Sequence, residues 1–160
     1  MLNNYCNKTL TPNCTPITIG IADSGCSDHY AATNADVKNI RPAQKKIKVM
    51  LPNGENIESS HTAQLNISNI PAPAQVCHLF PAMKDKILIS LGKLCDNDME
   101  IKLTKTNTYV YDQDHKEQPI IIGNRNTTNG MWYLNLNDSA ASVNNIKNKK
   151  LINSVYELRK

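Results

Sequence analysis

Between Ile17 and Leu136 the apolar residues of this chain fall in short β-type runs, each cut off by Pro, Gly, Asn, Asp or Ser. A chain punctuated so often cannot form helices long enough to pack as a bundle, so its core must be buried between strands. The spacing predicts strands over Ile17–Ala22, Lys46–Leu51, Glu55–Ser59, Ala63–Ile67, Gln75–Leu79, Lys86–Ile89, Met99–Leu103, Thr108–Tyr111, Ile120–Ile122 and Met131–Leu136. Two of these runs flank Pro52-Asn53-Gly54, and Asn-Gly between alternating runs predicts a projecting hairpin. So many strands exceed one small layer, and a twisted sheet pair or a partly closed barrel would bury them.

With 160 residues the chain has room for one domain and little more. Hydrophobic residues at 40% and charged residues at 20% suffice for a packed core. Residues 1–15 are polar and without period, which predicts a flexible leader, with the domain over 16–137. After Asn137 the pattern changes. Val143, Ile146, Leu151, Val155 and Leu158 recur at near-helical steps among Lys147, Lys149, Lys150, Arg159 and Lys160. That spacing predicts a basic amphipathic helix over 138–160, serving as a connector or tail.

Apolar runs such as Ile87-Leu88-Ile89 fall far short of the ~20 residues a membrane helix needs, and Met1-Leu2-Asn3-Asn4-Tyr5 does not begin a secretory signal. A soluble, cytoplasmic protein is expected. The net charge is +4, from 18 basic and 14 acidic residues, and no aromatic residues interleave Lys45-Lys46-Ile47-Lys48. A solvated face explains those lysines, and nucleic acid is not expected as a partner. The five cysteines Cys6, Cys14, Cys26, Cys77 and Cys95 are odd in number and lack C-x-x-C spacing, so they read as reduced thiols rather than a disulfide framework.

Chemistry concentrates where the first predicted strand ends, at Asp23-Ser24-Gly25-Cys26-Ser27-Asp28-His29. A carboxylate at a strand end, a hydroxyl able to lock the turn and a glycine that permits a tight backbone suit a catalytic turn, although a turn-capping Asp uses the same residues.

Four segments in order carry a resemblance. The Asp23-to-His29 segment is similar to an Asp-Ser-Gly-Ala-x-x-His catalytic turn, with Cys26 in the small-residue place. Val49-Met50-Leu51-Pro52-Asn53-Gly54 resembles the hairpin that follows it. Ile87-Leu88-Ile89-Ser90-Leu91-Gly92-Lys93-Leu94 resembles an Asn-Leu-Leu-Ser-Val-x-x-Leu segment, and Gly123-Asn124-Arg125 with Met131-Trp132-Tyr133-Leu134 resembles closing Gly-x-Arg and Leu-Tyr-x-Leu elements. Together they resemble the aspartic protease region of a Ty1/copia-type retrotransposon polyprotein, a relative of the retroviral proteases, over roughly residues 17–136. Two departures stand out: retroviral proteases usually have glycine where Ser90 stands, and a glycine-rich flap where this chain has Gly54.

The resemblance implies an all-β, retropepsin-like acid protease barrel and an endopeptidase that cleaves its own polyprotein, working in the cytoplasm or within virus-like particles. It makes Asp23 the catalytic residue, Ser24 and Gly25 its support, and Ser27, Asn53, Gly54 and Glu55 the expected substrate contacts. Leu88, Ile89 and Leu91 would pack beneath the turn. None of Asp28, Asp36, Asp85, Asp96, Asp98, Asp112 and Asp114 is followed by Ser/Thr-Gly, so a second catalytic Asp must come from a second copy of the chain. The implied partners are that second copy and a polyprotein peptide; no metal or organic cofactor is implied.

Three rivals remain open on the residues. Cys26 with His29, and Cys77 with His78, could each be half of a metal site, but the usual ligand spacings are missing. Cys26 could serve as a nucleophile with His61 or His78, though nothing in the sequence orients such a pair. A catalytically silent dimer of the same fold, acting as a structural or peptide-binding module, is the third.

Overall fold

The computed structural model describes residues 15–137. The helix expected over 138–160 and all of the leader except Thr15 lie outside the described residues. In chain order the elements are β1 (Ile19–Asp23), β2 (His29–Ala31), β3 (Val37–Pro42), β4 (Lys48–Met50), β5 (Asn56–Glu58), β6 (His61–Leu65), α1 (Ala72–Gln75), β7 (Val76–Leu79), β8 (Ile87–Ser90), α2 (Leu91–Cys95), β9 (Met99–Leu103), β10 (Asn107–Asp112), β11 (Ile121–Arg125) and β12 (Trp132–Asn135). The protein is thus mostly β, as the strand spacing predicts. No helix among the described residues is long and apolar enough to cross a membrane.

Ten strands form one mixed sheet in the order β3-β6-β7-β2-β8-β1-β12-β11-β10-β9, and β4 with β5 forms a separate two-stranded ribbon. The sheet does not close, so the expected barrel is replaced by an open sheet with β3 and β9 at its edges. Both edges resist further pairing. In β3 the register slips between Lys38 and Arg41, Asn39 takes a positive φ of 54°, and Pro42 ends the strand without an N–H to donate. In β9 Glu100 and Lys102 turn charged side chains to solvent.

The centre of the sheet departs from simple antiparallel meandering. β1 runs parallel to β8, β2 runs parallel to β7, and β2 lies antiparallel to β8. Two strand–turn segments therefore interlock, and the end of β1 is set beside the end of β8, with Asp23 opposite Ser90. Beneath them lies the core, where Leu65, Leu79, Ile87, Ile89, Leu94 and Leu134 are at most 1% exposed. Burial of such side chains contributes about 1.5–3 kcal/mol each relative to exposure, which holds the central strands in place around β1.

The hairpin forms over Lys48–Glu58, with Val49 opposite Ile57. Its turn differs from a two-residue Asn-Gly corner. The Gly54 N–H donates to the Leu51 carbonyl (2.9 Å), so Pro52 and Asn53 take the corner positions and Gly54 follows them at φ +84°. Pro52 fixes the first corner dihedral, and glycine alone adopts the left-handed step without strain. At the hairpin's base the buried Ser59 accepts the Ile47 N–H on its hydroxyl (2.8 Å) and returns its own N–H to the Ile47 carbonyl (2.9 Å).

Candidate active site

β1 delivers Asp23 to the wall of a cleft of about 780 Å³ that the hairpin borders from the other side. Val49, Leu51 and Ile57 come from the hairpin, Tyr30 and Phe80 from the central sheet region, and Met131 and Trp132 from the start of β12. The Tyr30 and Phe80 rings meet edge to face at 5.2 Å, a favourable geometry that stiffens this wall. Asp23 is the single carboxylate among the described residues lining the cleft.

The local turn is held by its own polar groups. Asp23 Oδ1 accepts the Gly25 N–H at 2.7 Å, and the Cys26 thiol donates to the Asp23 carbonyl at 3.6 Å. Gly25 has no positive φ. What a side chain here would change is space, since a Cβ would lie 3.3 Å from Asp23 Oδ1. Ser24 and Gly25 are exposed.

Below the turn sits His29, fully buried. Its Nδ1 accepts the Ser90 N–H (2.9 Å), which leaves Nε2 to donate to the Ala74 carbonyl (2.9 Å). Both ring nitrogens are committed to backbone, so His29 has no lone pair to offer a metal. Burial, reinforced by the nearby Lys93, pushes its pKa down to about 4, and the ring is neutral at pH 7. Ser90 ties the same region together. Its hydroxyl donates to the Cys26 carbonyl (2.7 Å) and accepts the Lys93 N–H (3.1 Å), capping α2.

A second polar cluster braces the turn from behind. Asp28 accepts from its neighbour's N–H at His29 (2.8 Å), from Lys93 Nζ (2.5 Å) and, through Oδ2, from His78 Nε2 (3.0 Å). Lys93 Nζ also donates to the Val76 carbonyl (2.8 Å). Burial raises the Asp28 pKa, but the hydrogen bonds from His78 and Lys93 outweigh it and hold the carboxyl well below the usual carboxylate range. The cluster thus links β2, β7 and α2 around the segment that follows Asp23.

The sign of the pH dependence follows from these shifts. The folded state disfavours protonated His29, so its contribution is complete above the ordinary pKa of 6.5 and is lost as pH falls toward about 4. Asp28 contributes fully above its ordinary 3.8, and that contribution is lost as pH falls further. Asp28→Asn should therefore lower stability at pH 7 by about 1–3 kcal/mol. In thermal melts the gap between the two proteins should narrow as pH falls below the ordinary carboxylate pKa, where the Asp28 carboxyl of the parent becomes protonated on unfolding. A gap that does not change between pH 7 and pH 2 would contradict the ionised role of Asp28.

The other expected residues are placed as follows. Ser27 is exposed, its hydroxyl 3.1 Å from that of Tyr30. Asn53, Gly54 and Glu55 form the exposed tip of the hairpin, where Asn53 Oδ1 accepts the Glu55 N–H (3.0 Å). None of these four lines the cleft; the hairpin reaches it through Val49, Leu51 and Ile57 instead. Ile89 is buried in the core, whereas Leu88 lines the cleft and Leu91 packs at the core's margin. Arg125 stacks over the Trp132 ring at 4.4 Å and donates through Nε to the Gly130 carbonyl, bracing the cleft's far wall.

The cysteine readings find no support in this geometry. Burial, with the adjacent Asp23 carboxylate, pushes the Cys26 thiol up to about 11, and burial pushes Cys77 up to about 12. Neither is a thiolate at neutral pH. His78 is already engaged with Asp28. Sequence reasoning named His78 only as a metal or cysteine partner, and Asp28, Ser90 and Lys93 as parts of longer segments; the hydrogen bonds that join them were missed, since no local spacing relates them. Comparison of the chain with known protein families, with curated proteins and with solved structures found no match.

Proposed function

We propose that the chain is a retropepsin-type aspartic endopeptidase of a retrotransposon polyprotein, active as a homodimer in which each copy supplies one Asp23. The observation that carries this reading is a lone carboxylate, at the end of a central strand, on the wall of an apolar cleft bordered by a hairpin. The interlocked strand pairs around β1 and β8 give that carboxylate a rigid support.

Two carboxylates brought within about 3 Å across a two-fold axis cannot both ionise, and the pair holds one proton. The ionised member takes a proton from a water as the water oxygen adds to the scissile carbonyl carbon, and the protonated member gives its proton to the carbonyl oxygen. Collapse of this tetrahedral species breaks the C–N bond. The amine leaves with one proton, the new carboxyl stays on the other product, and the dyad ends with its single shared proton restored. The apolar walls exclude bulk water and seat the side chains beside the scissile bond. A catalytically silent peptide-binding dimer is the second reading, favoured by the Gly25 N–H bond to Asp23 Oδ1, which is the bond a turn-capping Asp makes.

The test is cleavage of peptides drawn from the flanking polyprotein, measured in reducing buffer across a dilution series. Specific activity should fall as the protein is diluted through its dimer dissociation constant. A monomer by sedimentation that retains full specific activity would contradict the shared dyad, and no cleavage at any concentration would favour the silent module.

A further inference from the structure

The cleft carries charge that the chemistry above does not use. Lys84 and Lys86 line it from the segment between β7 and β8, both are exposed, and neither has an ion pair among the described residues. Asp85 between them forms no ion pair with either among the described residues; its carboxylate accepts from Asn34 (2.6 Å) and does not line the cleft. The remaining lining is largely apolar, with Leu88 beside the lysines and Met83 next to Lys84. A largely apolar lining that carries two cations without ion pairs among the described residues, and one carboxylate, is complementary to an extended peptide that is apolar but bears a negative charge of its own.

We infer that the cleft selects peptides with an apolar residue at the Asp23 position and an acidic residue a few positions away, where its carboxylate meets Lys84 and Lys86. This inference rests on the reading of the cleft as a peptide-binding site. Lys84 and Lys86 act as specificity residues. They touch substrate away from the reacting bond, and their long stems let the ammonium groups follow a carboxylate in more than one register. Partly solvated pairs of this kind contribute modestly, so the expected preference is about two- to fivefold and is screened by salt.

The experiment uses matched fluorogenic peptides with a central apolar pair and Glu, Gln or Lys scanned through the flanking positions. At low salt the best Glu peptide should exceed its Gln counterpart about two- to fivefold in kcat/KM, with the advantage shrinking at high salt. In Lys84→Glu/Lys86→Glu the order should invert to favour Lys. Lys84→Gln/Lys86→Gln, with less change in charge, should abolish the preference while melting like the parent protein. Efficient cleavage with no difference between Glu and Gln peptides would overturn the inference and leave the protease reading standing. If nothing is cleaved, anisotropy of the same labelled peptides decides separately. Tighter binding of the Glu peptides, lost in the Gln variant, supports the inference on a silent module, and equal or absent binding overturns it.

Discussion

Asp23→Asn should abolish peptide cleavage while leaving the fold intact, with residual kcat at least about a thousandfold below the parent. The carboxamide fits the same space. Its oxygen can still accept the Gly25 N–H that Asp23 Oδ1 now accepts at 2.7 Å, so the turn keeps its bond. What it cannot do is exchange a proton with a partner carboxylate or activate water. Melting temperature should stay close to that of the parent protein, since Asp23 makes no ion pair among the described residues. Undiminished cleavage by purified Asp23→Asn would remove the aspartic mechanism. A large drop in melting temperature would instead mean that the turn depends on the Asp23 charge for its stability.

His29→Ala is expected to have the largest effect on stability. The imidazole is buried and bridges two backbone segments distant in sequence, accepting from Ser90 at the end of β8 and donating to Ala74 in α1. Alanine leaves a buried N–H and a buried C=O without partners and opens a cavity beneath the Asp23 turn. Together these should cost about 3–5 kcal/mol, a large share of the 5–15 kcal/mol typical of a folded domain. Urea unfolding at pH 7 measures it directly. A loss below about 1 kcal/mol would mean that water replaces the ring without consequence, and that the turn is not held from below as described.

The legible parts of this fold are those whose information is local. Lys48–Glu58 could be read as a hairpin because alternating apolar residues flank a Pro-Asn-Gly turn, although the turn places Pro52 and Asn53 at its corners rather than Asn53 and Gly54. β9 matches its predicted bounds, Met99–Leu103. β2 and β3 were not predicted. The three residues His29, Tyr30 and Ala31 are all buried, so β2 shows no alternation, and the bulge at Asn39 breaks the period of β3. α2 spans five residues and forms because Ser90 caps it and Leu94 packs in the core, neither of which a periodicity test can see.

The site divides in the same way. Asp23 stands out in sequence because a strand, a carboxylate and a Ser-Gly turn are consecutive. The brace of Asp28, His78 and Lys93 joins residues 50 and 65 positions apart, a relation that only strand order creates. Asn53, Gly54 and Glu55 were expected at the substrate because the resemblance implies that the hairpin tip serves as a flap over it. In the structure the hairpin's apolar face borders the cleft while its polar tip faces solvent, as the burial of Val49 and Ile57 relative to Asn53 and Gly54 requires.

The shared dyad is tested most directly by mixing the parent protein with Asp23→Asn in equal amounts, allowing subunits to exchange, and measuring cleavage at fixed total protein concentration. If each active site needs an Asp23 from both copies, mixed dimers are inactive and random pairing leaves about a quarter of the activity of the unmixed parent. If each chain works alone, about half remains, and that result would contradict the homodimeric aspartic site.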